Sequence, residues 1–120
     1  MSTILIADDS KFMRLHLKQT LLSHDKHEII EASDGKEAIH LYKEYSPDLV
    51  ILDITMKHMD GLTALKEIMG IDHHALVVMC SAMGTKYNVI ESLQLGAADF
   101  IAKPNFDGLI NVLDELERGE

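Results

Sequence analysis

Five short apolar runs recur along the chain: Thr3 to Ala7, Glu28 to Ala32, Asp48 to Leu52, Ala75 to Cys80 and Asp99 to Ala102. Each has the length of a strand, and several are almost continuously apolar, as strands buried on both faces must be. Between these runs the apolar spacing changes to that of a helix with one buried side. Met13, Leu17 and Leu21 mark the first such stretch, Ala38, Leu41 and Tyr42 the second, and Leu62, Leu65 and Met69 the third. Val89, Ile90 and Leu93 mark a fourth, and Leu109, Val112, Leu113 and Leu116 a fifth.

Punctuation supports these boundaries. Ser10, either Ser33 or Asp34, and Asp60 stand where side chains can cap helix N-termini, while Gly70 and Gly96 stand where helices should end. Strict alternation of strand and helix predicts an α/β fold, a doubly wound five-stranded parallel sheet with right-handed crossovers. Ligands of such sheets sit beyond the carboxyl ends of the strands. Chemistry is therefore expected in the loops that begin with Asp8-Asp9, Ser33-Asp34, Asp53-Ile54-Thr55, Ser81-Ala82 and Lys103-Pro104.

The length of 120 residues suits one domain spanning 1–120, and an apolar content of 47% is enough for an ordinary core. Twenty acidic residues against eleven basic ones give a formal charge of −9, which disfavours binding to nucleic acid or an anionic membrane. The longest apolar runs are too short to cross a bilayer, and Met1-Ser2-Thr3 lacks the basic start of a signal peptide, so a cytoplasmic location is expected. Cys80, the one cysteine, lies within an apolar run and reads as a small buried hydrophobe.

Asp8 and Asp9 directly follow the first strand and Asp53 the third, so three carboxylates converge if those strands are neighbours. Their repulsion calls for a cation with oxygen preference, and Mg2+ suits a site with few carboxylates and open water positions. Ser81 and Lys103 follow the fourth and fifth strands and add a hydroxyl and a cation on the same edge. A phosphoryl group on Asp53 would then have oxygens facing the metal, Ser81 and Lys103. Taken singly, each residue has an ordinary explanation: an acidic cap, a turn residue, a solvated lysine. Their joint placement points to chemistry.

The stretches Ile4-Leu5-Ile6-Ala7-Asp8-Asp9-Ser10, Asp48 to Asp53, Met59-Asp60-Gly61, Met79 to Gly84 and Gly96 to Pro104 resemble the CheY-like receiver domains of bacterial two-component response regulators over the whole chain. That resemblance implies a flavodoxin-like sheet of order 2-1-3-4-5. It also implies that Asp53 is the phosphoacceptor, that Asp9 is a direct Mg2+ ligand with Asp8 acting through water, and that the main-chain carbonyl of Thr55 joins them. Ser81 resembles the hydroxyl that moves onto the phosphoryl oxygen, Phe100 the aromatic that rotates inward behind it, and Lys103-Pro104 the family's cis peptide. The implied partners are a sensor histidine kinase and a protein target on the face of the fourth helix, fifth strand and fifth helix. The same likeness implies a chemotaxis role as a monomer, with no activity beyond self-catalysed phosphotransfer and autodephosphorylation.

Two positions depart from the family pattern. Lys57 stands where many receivers carry proline, so the loop after Asp53 loses a fixed torsion and gains a positive charge. Asn105-Phe106 leaves the start of the last helix open. Other readings of the chain are a phosphorelay intermediate, an unphosphorylated interaction module, and an aspartyl phosphatase. The complete set of Asp9, Asp53, Ser81 and Lys103 opposes the module, and Thr55, where a phosphatase would carry its second acid, opposes the last.

Overall fold

The computed structural model describes residues 2–82, 84–103 and 107–117. It alternates strand and helix in the expected order: β1 (Thr3–Ala7), α1 (Lys11–His24), β2 (Glu28–Ala32), α2 (Gly35–Tyr45), β3 (Leu49–Leu52), α3 (Gly61–Ile71), β4 (Val77–Ser81), α4 (Lys86–Gln94), β5 (Asp99–Ala102) and α5 (Asp107–Glu117). The sheet is parallel with order β2-β1-β3-β4-β5. The chain therefore winds outward from β1 to β2 and then reverses to β3, which puts the change of direction between β1 and β3.

Alternate residues of the central strands feed two cores, one on each face of the sheet. Leu5, Ala7, Val50, Leu52, Val77 and Met79 pack with Ala38 and Tyr42 of α2 and Leu65 and Ile68 of α3. Ile4, Ile6, Leu49, Ile51, Val78 and Cys80 pack on the other face with Leu17 and Leu21 of α1 and Leu109 and Leu113 of α5. Removing each such leucine from water contributes roughly 1.5–3 kcal/mol, so Leu17 and Leu21 are the main anchors of α1. The side strands are less covered: β2 buries Ala32, half-buries Ile29 and Ile30 and exposes Glu28 and Glu31, and Ile101 is the one buried residue of β5.

Helix starts follow the sequence closely. Ser10 accepts from the amide of Met13, Asp34 from that of Glu37 and Asp60 from that of Thr63, so Asp34 rather than Ser33 caps α2. Gly96 lies just past α4 with φ of 108°, a left-handed residue that glycine accommodates. Gly70 does not end its helix. The backbone of α3 continues through it to Ile71, and Asp72 closes the helix by donating its amide to the Ile68 carbonyl.

The fourth helix departs further from its apolar pattern. Ile90 and Leu93 are largely exposed, as is Tyr87, while the buried residue of α4 is Ser92. Its hydroxyl donates to the Asn88 carbonyl at 2.7 Å, so this small side chain lies buried with its polar atom satisfied. The apolar stripe of α4 is a surface feature. No helix among the described residues is long and apolar enough to cross a membrane. The expectations for the Lys103-Pro104 peptide and for Asn105-Phe106 lie outside the described residues.

Candidate acidic site at the carboxyl edge of the sheet

Strand register brings the acids together. Ala7 pairs with both Ala32 and Leu52, so the next residues, Asp8 and Asp53, leave the sheet side by side at its change of direction. Their amides remain in the ladder: Asp8 donates to the Ala32 carbonyl at 3.1 Å and Asp53 to the Ala7 carbonyl at 2.9 Å. With Asp9 they form a group whose carboxylate oxygens lie within 4.8 Å of one another, Asp8 and Asp53 buried and Asp9 exposed.

The fifth strand supplies compensation. Lys103 reaches Asp8 Oδ2 at 2.5 Å and lies 3.4 Å from Asp53 Oδ2, with its side chain almost fully buried. Its amide donates to the Ser81 carbonyl at 3.0 Å, which fixes the ends of β4 and β5 together. Ser81 is itself buried and is the last residue of β4 rather than the first of the loop. Phe100 is half-buried against the first core, and the space where Gly84 would carry a side chain is bounded by the Phe100 ring and Ala102. This ring therefore borders the loop that leaves Ser81.

Electrostatics set the carboxylates apart. Burial pushes the Asp53 carboxyl above its ordinary range; the neighbouring Lys103 ammonium opposes that rise, Asp8 adds to it, and the Ile54 amide donating to Oδ1 opposes it. For Lys103 burial acts downward, but the hydrogen bond to Asp8 and the charge of Asp53 outweigh it and hold the ammonium above its ordinary value. Asp8 spends Oδ1 on the Ser10 amide and Oδ2 on Lys103. Cys80 is buried beside this group, and burial pushes its thiol up to about 12, so it is no nucleophile at neutral pH.

Three carboxylates faced by one ammonium form an oxygen-rich donor set with excess negative charge, which fits Mg2+. Asp9 and Asp53 would hold the ion, with Asp8, already engaged by the protein, acting through water. Thr55 follows Asp53 by two residues on the exposed loop, where its main chain is within the same loop. Lys57 is exposed.

Three further residues shape the site, and of these Gly61 alone leaves a signal in the sequence. Arg14 of α1 donates from Nη1 to the Asp8 carbonyl at 2.6 Å and from Nε to Glu31 Oε1 at 3.0 Å, tying the acidic loop to β2. His58 reaches Asp34 across the loop after Asp53. Gly61 donates its amide to the Ile54 carbonyl at 2.7 Å, and a Cβ on Gly61 would fall 1.9 Å from the Asp53 carbonyl oxygen. A glycine directly after the Asp60 cap, where better helix formers are usual, was the available signal. Gly61→Ala is expected to destabilise by about 1–3 kcal/mol, because backbone atoms must shift to admit the methyl group. Gly70→Ala, which meets nothing within 4 Å, is expected to stabilise by about 0.5–1 kcal/mol as an ordinary helix substitution. Urea unfolding of both variants checks the pair, and equal effects would contradict the crowding at Gly61.

Comparison with known proteins places this geometry. The model of the response regulator receiver domain matches residues 4–114. The chemotaxis protein CheY of Bacillus subtilis is 54% identical over 101 residues, covering 84% of each chain. The CheY of Listeria monocytogenes is 48% identical over 119 residues, covering 98% of this chain and 100% of the relative. Among solved structures, the CheX-CheY-BeF3-Mg+2 complex from Borrelia burgdorferi superposes with a TM-score of 0.89 at 39% identity, covering 96% of this chain and 88% of that one. TrrA of Thermotoga maritima, in complex with Mg(2+)-BeF, does so with a TM-score of 0.87 at 32% identity, covering 97% of this chain and 99% of that one.

Proposed function

This chain belongs to the response regulator receiver domain family, and from that premise we propose that it is a switch driven by phosphorylation of Asp53. The observation that carries the reading is the buried Asp53 carboxylate held between Asp8 and Lys103 at the change of winding, with Ser81 on the adjoining strand end.

In this reading a carboxylate oxygen of Asp53 attacks the phosphorus of a phosphohistidine on a sensor kinase. The O–P bond forms as the P–N bond breaks, and the electron pair returns to the imidazole nitrogen, which is then protonated. Asp9 and Asp53, with the Thr55 main chain, would hold Mg2+, and the bound ion would supply positive charge to balance the phosphoryl oxygens. Lys103 supplies the second cation and Ser81 a hydroxyl donor. Attack of water on phosphorus later releases inorganic phosphate and restores the Asp53 carboxylate. The chain has no further turnover chemistry in this reading.

Phosphorylation adds oxygens that compete with Asp8 for Lys103 and draw on the Ser81 hydroxyl, so the loop after β4 shifts and Phe100, which borders it, follows. The surface changed is that of α4, β5 and α5. Exposed Tyr87, Ile90 and Leu93 on α4 support a protein target there, since such side chains gain by burial against a partner. The relatives named chemotaxis protein CheY favour a chemotaxis target, and in this reading the chain acts as a cytoplasmic monomer.

Mg2+ dependence tests the site. Wild-type protein is expected to take up phosphoryl groups from acetyl phosphate in Mg2+ and none in EDTA, and Asp9→Ala is expected to bind Mg2+ at least about tenfold more weakly, because a hard cation loses a charged ligand. Mg2+ affinity unchanged by Asp9→Ala would count against the assignment.

A further inference from the structure

The loop that leaves Asp53 is suspended at three points. At its base, the Ile54 carbonyl accepts from the Gly61 amide at 2.7 Å. Along one side, the backbone of Met59 presses against α2 so closely that a Cβ on Gly35 would fall 2.5 Å from the Met59 carbonyl oxygen. At its tip, His58 Nδ1 meets Asp34 Oδ2 at 2.8 Å. The tip is also a tight turn: the Met59 amide donates back to the Lys57 carbonyl at 2.7 Å, and His58 sits at φ of 67°, a region that a residue with a Cβ enters only when its surroundings hold it there.

The two ends of the His58–Asp34 contact are unequal. Asp34 is already fixed, because its Oδ1 caps α2 through the Glu37 amide, and that bond followed by the imidazole holds its carboxyl below the ordinary range. His58 is exposed and belongs to a loop that lacks a proline. The contact thus moors a loop with an unfavourable turn to a rigid helix start. Burial does not explain it, since the imidazole is two-thirds exposed, 66% by side-chain area.

We infer that His58 is a positioning residue for the acidic site: by closing onto Asp34 it holds the loop that follows Asp53 and, with it, the Thr55 main chain. The inference deepens the phosphorylation reading and relies on it only for the consequence at the metal. The stiffness that proline would give this loop through a fixed torsion comes instead from a clip between side chains.

Two variants isolate the clip. His58→Asn removes the imidazole yet keeps a residue that tolerates the left-handed turn, and Asp34→Ser keeps a good cap for α2 but is too short to reach His58. Amide exchange of residues 54–59 in the metal-free protein is expected to rise on the order of threefold to tenfold in either variant, the size of losing one charge-assisted hydrogen bond at the surface. The double variant should exceed neither single one, because both remove the same interaction. Mg2+ affinity should fall by about tenfold, the low end for loss of an outer support, while the melting temperature falls by only a few degrees, in keeping with the loss of one surface hydrogen bond.

Unchanged exchange in both variants, or effects that add in the double variant, would overturn the clip. Faster exchange with unchanged Mg2+ affinity would overturn the positioning role. A wild type that binds no Mg2+ would instead overturn the functional reading, and the exchange rates of the metal-free protein would still decide whether His58 holds the loop.

Discussion

Replacing Lys103 with methionine is expected to lower the stability of the metal-free protein by about 3–5 kcal/mol, the range for removing one partner of a buried ion pair. The ammonium is the one cation paired with the Asp8 carboxylate among the described ion pairs, and it lies 3.4 Å from Asp53. Methionine fills much of the same volume, so the loss reflects charge and not a cavity. A lysine held above its ordinary value of 10.5 contributes stability that is complete below that pH and fades as pH rises past it, so the deficit of the variant is full at neutral pH. Mg2+ should restore a large part of it by taking over the compensation of the carboxylates. Urea unfolding in EDTA and in Mg2+ checks both statements. A small deficit, equal in the two conditions, would show that Lys103 does not balance the acids.

Asp53→Asn is expected to act in two directions: it abolishes phosphoryl acceptance, since an amide cannot form the acyl phosphate, and it stabilises the fold at neutral pH. The second effect follows from the raised carboxyl. Burial favours the protonated form in the native state, so the native protein binds more protons than the unfolded chain between the ordinary value of 3.8 and the raised one. Stability from this group is therefore greatest below 3.8 and is lost as pH rises through that window. The amide does not titrate and escapes the loss. The gain of Asp53→Asn over wild type should accordingly grow with pH from acid toward neutrality in metal-free protein, and thermal melts across that range check it. A wild type whose advantage grows with pH would reverse the sign and contradict the burial argument.

Much of this arrangement was legible because parallel strands announce themselves. Buried on both faces, β1, β3 and β4 need unbroken apolar runs, and the residue where each run stops marks the functional edge. Hence the ends of the runs alone single out Asp8, Asp53 and Ser81, with the resemblance supplying the strand order that makes them neighbours. Where a helix meets the core through a small side chain the pattern misleads: α4 buries Ser92 and exposes Ile90 and Leu93, the reverse of what its apolar spacing suggests. Gly70 misled for a related reason, because a glycine signals a helix end only when the backbone turns left-handed, and here it continues the helix. The supports of the site leave little trace in the sequence beyond the glycine after the Asp60 cap. Arg14 on the Asp8 carbonyl, His58 on Asp34 and Gly61 beneath Asp53 are contacts to backbone or across loops, and they leave no periodicity.

The central claim is that Asp53 takes the phosphoryl group, and intact mass after incubation with acetyl phosphate and Mg2+ tests it most directly. The account predicts one added phosphoryl group on the wild type, lost on standing as an acyl phosphate hydrolyses, and none on Asp53→Asn. Equal incorporation by wild type and Asp53→Asn would contradict it.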